Sequence, residues 1–315
     1  MSEQSDAAQN GGTYSGAVSR IRTRVGEVEL ANLGESAGPA LLLLPHGLSD
    51  WSSLFDIALA LSNASPGLRV IALSRPVHGE AARESDDDSL SYEAGVFLPA
   101  VMDALEIPCA NFIGHADGAT VALLFAGLFP ERVRGIVGLA PYGFGDDYLR
   151  MALESIPLPE CRPEQLMKLG ESLRDPALVF SRWKAARLSE CRRGWSATAS
   201  FTRISAPVVL VQGMRDEFIS LDQATAIAGR LSGQVSWITL KNTGHLIHLD
   251  NPEQVIMLAQ RQLEPHLDRA RVERKANAAV SRPRKNHAKD VTRILPYVRK
   301  EPQPIEAGDK AVCFQ

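Results

Sequence analysis

Cysteine is scarce in this 315-residue chain: Cys109, Cys161, Cys191 and Cys313 are widely scattered and form no CxxC pair. That spacing excludes a disulfide framework and a zinc knuckle, and it fits a reducing, cytoplasmic setting with no metal expected. Long apolar runs are missing too. No stretch approaches the roughly 20 residues of a bilayer span, and the first fourteen residues are polar rather than basic then apolar, so neither a membrane partner nor a secretory signal is expected. Aromatic residues are sparse at 6%. Positive charge is concentrated: residues 269–300 carry eleven Lys and Arg against two Asp and Glu, whereas the chain as a whole has a net charge of -3. The basic stretch has no recognition motif and no interleaved aromatics, so no nucleic-acid partner is expected. It reads as a C-terminal extension over 269–315, disordered or laid on the acidic body of its own or a second subunit, the latter favouring a homodimer.

What is present is enough apolar residue, 45%, to bury a full core. Ile21 to Leu30 alternates as a short hairpin turning about Gly26-Glu27. Ala40 to Pro45, Leu68 to Ser74, Ala110 to Gly114, Val133 to Ala140, Pro207 to Gln212 and Val235 to Leu240 are short apolar runs of the kind covered on both faces. Helical text separates most of them: Trp51 to Leu61, Leu90 to Leu105, and Val121 to Phe129, which is apolar nearly all round. Asn251-Pro252-Glu253 reads as an N-cap, an N1 proline and an acidic first turn of a helix reaching about Leu267. The alternation predicts an α/β fold with a mainly parallel central sheet and helices on both faces. It is interrupted once, between Phe144 and Ala206, by Pro157, Pro159 and Pro163 and then by helix-like text. A helical cap inserted at about 144–205 is expected, within a core spanning 15–268 behind a disordered leader at 1–14.

Gly114-His115-Ala116-Asp117-Gly118 lies between a buried strand and a buried helix. Small residues at 114 and 118 allow a sharp turn that lifts the side chain at 116 into a pocket. This stretch resembles the nucleophile elbow of the α/β-hydrolase superfamily, with alanine where the nucleophile stands. The resemblance extends in chain order over residues 20 to 268. Pro45-His46-Gly47-Leu48 is similar to the family's HG loop, Gly213-Met-Arg-Asp216 to its strand-end acid, and Asn242-Thr243-Gly244-His245 to its closing histidine motif.

Several roles are implied by that likeness. The amides of Leu48 and Asp117 would form an oxyanion hole. Asp216 would orient His245 as general base, with Glu217 in reserve and His248 making a structural hydrogen bond. His46, Gly47, His115 and Trp183 would touch substrate. Asp117 is not expected to be a displaced nucleophile, because the bend projects position 116. Its acid reads as compensation of the helix dipole. Arg75 and His78 read as loop residues, and Glu84 to Asp88 as a solvated turn. The expected activity is serine-type hydrolysis of a small ester, lactone, thioester or related carbonyl compound, without a cofactor. The nucleophile is replaced by Ala116, so substrate should bind and turn over very poorly. Two alternatives remain: a nucleophile-less lyase, cyclase or cofactor-free oxygenase using His245 and Asp216, and a non-catalytic small-molecule receptor.

Overall fold

A computed structural model describes residues 18–34, 37–65, 67–76, 89–156 and 176–263. The expected leader, the basic extension, His78, the acidic turn at 84–88 and the three prolines at 157, 159 and 163 lie outside the described residues. So does any contact that would bear on a homodimer through the extension.

Eight strands form one sheet: β1 (Val18–Thr23), β2 (Gly26–Gly34), β3 (Ala40–Leu44), β4 (Arg69–Leu73), β5 (Ala110–His115), β6 (Val133–Leu139), β7 (Val208–Gly213) and β8 (Val235–Leu240). Their spatial order is β1-β2-β4-β3-β5-β6-β7-β8. β1 and β2 are antiparallel, β2 runs antiparallel to β4, and every pairing from β4 to β8 is parallel. The hairpin is therefore the antiparallel margin of a parallel sheet. Its turn falls at Arg24-Val25, two residues before the expected position, with Gly26 at φ 117° facing Thr23.

Every residue of β3 and β5 is buried, which their unbroken apolar text requires once helices cover both faces. β8 departs from expectation. It pairs with β7 as a strand, but four of its six residues are exposed, Trp237 at 43%. It is the edge of the sheet, and an edge strand has a neighbour on one side only.

Helix α1 (Phe55–Ala64) follows a turn capped by Asp50, whose carboxylate accepts the Ser52 amide at 2.9 Å. The expected helix over Leu90–Leu105 is α2 (Ser89–Tyr92) and α3 (Leu98–Ala104) joined by a π turn. Pro99, with no N–H to donate, sits where the ladder resets. Helix α4 (Asp117–Leu128) is buried from Asp117 through Gly127. Between β6 and β7 the described residues form α5 (Asp147–Ser155), α6 (Pro176–Arg192) and α7 (Thr198–Phe201). Helix α8 (Leu221–Ala228) precedes β8, and α9 (Ile247–Asp250) and α10 (252–263) follow it. Asn251 stands at the cap position of α10, yet its side-chain amide donates to Thr243 Oγ1 at 2.6 Å. Among the described residues no helix is long and apolar enough to cross a membrane.

Parallel strands all point their carboxyl ends to one edge, so the loops after β3, β5, β7 and β8 meet there. Those loops carry His46, Ala116, Asp216 and His245.

Candidate active site

The turn after β5 is strained. Ala116 adopts φ 49° and ψ -115° at the cap of α4, a conformation that costs a non-glycine residue about 1–3 kcal/mol. Its surroundings hold it there: the Ala116 amide donates to the Leu139 carbonyl at 2.8 Å, and its carbonyl accepts the Thr120 amide at 3.0 Å. A Cβ at Gly118 would collide with the carbonyls of Leu44 and Pro45, and one at Gly114 with the Ala119 backbone, so the bend closes only on glycine at both places. The strain of an elbow is kept although the side chain it presents is a methyl group.

Asp216 follows β7 and His245 follows β8. His245 Nδ1 lies 3.1 and 3.0 Å from the two Asp216 oxygens. The carboxylate is fixed from behind: the amides of Phe218 and Ile219 donate to Oδ1 at 2.8 and 2.9 Å, and Gln212 Nε2 donates to Oδ2 at 2.7 Å. Burial opposes charge on both partners, but each offsets it for the other, lowering the Asp216 pKa and raising that of His245 above the usual imidazole value. Glu217, the reserve acid, is exposed and takes no part in this pairing.

Ala116, Asp117, His46, Gly47, Trp183 and His245 line one pocket with Tyr142, Arg187 and apolar residues. One expected position, His115, does not line it. The side chain of Leu48 is buried in the core at 1% exposure, which leaves its expected role to the backbone amide, and the loop wall is made by His46 and Gly47.

His115 is fully buried behind the elbow, where it cannot touch substrate. Alternation along β5 turns its side chain away from the face on which position 116 opens. Its Nε2 donates to the His245 carbonyl at 3.0 Å, and its ring packs against those of His46, His245 and His248 at 5.3, 4.9 and 4.8 Å. Burial, reinforced by neighbouring imidazoles, lowers the pKa of His46 and His115 well below the ordinary value and that of His248 to about 4. His248 shows ring packing rather than the expected hydrogen bond, with Nδ1 buried and unpartnered. Among the described residues no group of three or more His, Cys, Asp or Glu is arranged to hold a metal ion.

Asp117 does far more than compensate a dipole. Its Oδ2 accepts from Arg75 Nη1 at 2.9 Å and Trp183 Nε1 at 3.0 Å, and its Oδ1 accepts from the Tyr142 hydroxyl at 2.8 Å. Arg187 Nη1 donates to that hydroxyl at 2.9 Å and lies 3.6 Å from Oδ2. Glu93 binds Arg75 through both oxygens and Glu190 binds Arg187 at 2.9 Å. Burial disfavours the Asp117 charge, yet Arg187 and Arg75 outweigh it and hold the carboxyl well below the usual range. Trp183 and Arg187, one turn apart on α6, thus tie the insert to the first turn of α4. Arg75, expected as an ordinary loop residue, is a buried member of this network. Tyr142 and Arg187 had no signal in the sequence, since Asp117 lies far from both along the chain, and Gln212, four residues before Asp216, carried none in its residue type.

The fold and this loop arrangement are those of a known class: the chain belongs to the alpha/beta hydrolase family, whose family model matches residues 41–258. Over 247 residues it is 27% identical to the dihydrolipoyllysine-residue acetyltransferase component of the acetoin cleaving system of Pseudomonas putida, with 71% of this chain and 63% of that protein covered. It thus spans less than two thirds of that relative's length. It is 24% identical over 257 residues to the 2-hydroxy-6-oxo-6-phenylhexa-2,4-dienoate hydrolase of Comamonas testosteroni, covering 70% of this chain and 86% of that one. The solved enol-lactonase of Burkholderia xenovorans LB400 shares its fold, with a TM-score of 0.63 at 15% identity over 78% of this chain and all of that one.

Proposed function

We propose that the pocket binds a small ester, lactone, thioester or related carbonyl compound in a serine-hydrolase framework that lacks its nucleophile. The observation that carries this reading is Ala116, held at φ 49° on the wall of the cavity that His245 also lines. In a complete site a serine oxygen at 116 would attack the carbonyl carbon while His245 Nε2 took its proton, and the carbonyl oxygen would gain charge facing the amides of Leu48 and Asp117. A methyl group has no lone pair, so no acyl-enzyme forms, and loss of such a serine typically costs about 10⁶ in turnover. The relatives' names cover acyl transfer, dienoate hydrolysis and lactone hydrolysis, which supports carbonyl chemistry without choosing a substrate.

A second reading rests on the intact Asp216–His245 pair, whose raised imidazole pKa suits proton abstraction from water or directly from a bound substrate. One experiment separates the two. Ala116→Ser protein should react with a fluorophosphonate probe and cleave short activated esters, whereas the chain as it stands should do neither. A folded Ala116→Ser protein that takes no label overturns the first reading. Turnover by the alanine form that disappears in His245→Ala would establish the second.

A further inference from the structure

We propose that His115 is the positioning residue for His245: its Nε2–H holds the His245 carbonyl and so fixes the imidazole relative to position 116. This role rests on the function proposed above, in which His245 is the base, and adds the group that sets where the base stands. His115 ends β5, the strand between β3 and β6, and is joined by a peptide bond to Ala116. Its side chain is fully buried, with Nε2 3.0 Å from the His245 carbonyl oxygen. One peptide link, one side chain and one hydrogen bond therefore connect the elbow to the backbone of the base, across 130 residues of chain from His115 to His245.

Other contacts hold the loop to different elements. The Arg215 amide donates to the Thr243 carbonyl at 2.9 Å, the Gly244 amide to Asp250 Oδ2 at 2.8 Å, and the Ile247 amide to the same His245 carbonyl at 2.9 Å. These tie the loop to the end of β7 and to α9. Asp216 holds the His245 ring at Nδ1. The His115 bond fixes the residue at its other end, the backbone, from the strand that also presents position 116. With both ends held, the direction of Nε2 is set, and a displacement of about 1 Å at such a group can cost roughly 10²-fold in rate.

His115 is suited to be a fixed donor. A carbonyl oxygen only accepts, so Nε2 carries the proton and Nδ1 is bare; that Nδ1 is buried without a hydrogen-bond partner. A residue placed here for packing alone would be apolar, since a buried unpartnered nitrogen is a cost. Charging the ring would put a cation beside His46, His245 and His248, and burial together with those imidazoles lowers its pKa well below the ordinary value. The ring therefore stays neutral.

The test begins with the unaltered chain. A long-range proton–nitrogen NMR spectrum at neutral pH should show His115 as the neutral Nε2–H tautomer; an Nδ1–H tautomer or an imidazolium overturns the inference. His115→Leu removes the donor and His115→Gln restores an N–H at similar reach; His115→Phe replaces the leucine form if that does not fold. Without the donor His245 should titrate at lower pH than in the parent, because a looser loop weakens its pairing with Asp216, and His115→Gln should restore the parent behaviour. In the Ala116→Ser background, His115→Leu should lower kcat toward p-nitrophenyl acetate at least about tenfold with KM within about twofold, and His115→Gln should recover most of that loss. Reduced stability alone, with kcat and the His245 titration unmoved, would make His115 a packing residue and overturn the inference, as would a glutamine form no better than the leucine one. Ala116→Ser protein that takes no fluorophosphonate fails the hydrolase reading, whereas the tautomer and the His245 titration are read on the alanine chain and decide the role of His115 separately.

Discussion

Trp183 donates its indole N–H to Asp117 across 3.0 Å, which hydrogen-bonds the helix inserted between β6 and β7 to the residue directly after the elbow. The contact places a cap-side aromatic and a core carboxylate on the same pocket wall. It also makes position 117 the node on which Arg75, Tyr142 and Arg187 converge.

Asp117→Asn should therefore destabilise the protein by about 3–5 kcal/mol in urea unfolding, because two buried guanidiniums lose their shared counter-charge. Trp183→Phe should cost less, about 1–3 kcal/mol, since Asp117 keeps its arginines. The Asp117 pKa is depressed on folding, so its stabilisation is present above about pH 4 and is lost as pH falls further. Unfolding free energy measured between about pH 4 and pH 2 should drop less steeply in Asp117→Asn than in the parent. Equal slopes would remove Asp117 as the source.

The histidines titrate in opposite senses. By NMR, His245 should titrate above the usual imidazole value, and in Asp216→Asn its pKa should fall, because burial then loses its main opponent. Its contribution to stability is full below about pH 6.5 and is lost as pH rises through the folded pKa. His248, with a pKa of about 4, should stay neutral through the same range. Its contribution has the reverse sign, present above about pH 6.5 and lost as the solution is acidified. A His248 resonance that titrates near neutrality would contradict this packing.

In Ala116→Ser protein, kcat/KM toward p-nitrophenyl acetate should rise with pH through the His245 pKa, since only the neutral ring can accept the serine proton. Adding His245→Ala should cut kcat by roughly 10⁴–10⁶. A pH-independent rate, or one indifferent to His245, would place the chemistry elsewhere.

Two alanine substitutions should differ in kind. A Cβ at Gly47 meets the Trp183 indole and the Asp117 carboxylate, side chains that can shift, so Gly47→Ala should cost about 1–3 kcal/mol. A Cβ at Gly118 meets the carbonyls of Leu44 and Pro45, which cannot move without the sheet. Thermal unfolding should show the larger loss for Gly118→Ala.

Each apolar run in the chain marked a strand, and the nearly all-apolar text of Val121–Phe129 marked the central helix, because both patterns report local burial. Where the pattern misled, at β8, the cause was position: whether an apolar strand is covered depends on its place in the sheet, and Val235–Leu240 lies at the margin. Asp216 and His245, named from motif order, do pair, since a parallel sheet brings successive loop ends to one edge.

What the linear text determined by itself was the order of elements, the bend at Ala116 and the loops that meet around it, all set by short-range patterning and glycine placement. Only the tertiary structure decided that His115 turns inward to an imidazole stack, that Leu48 buries its side chain, and that Asp117 binds Arg75, Tyr142, Trp183 and Arg187. Those partners stand 25 to 70 residues away along the chain. A buried carboxylate selects its neighbours by geometry and charge after the sheet has closed, and no local periodicity records that choice.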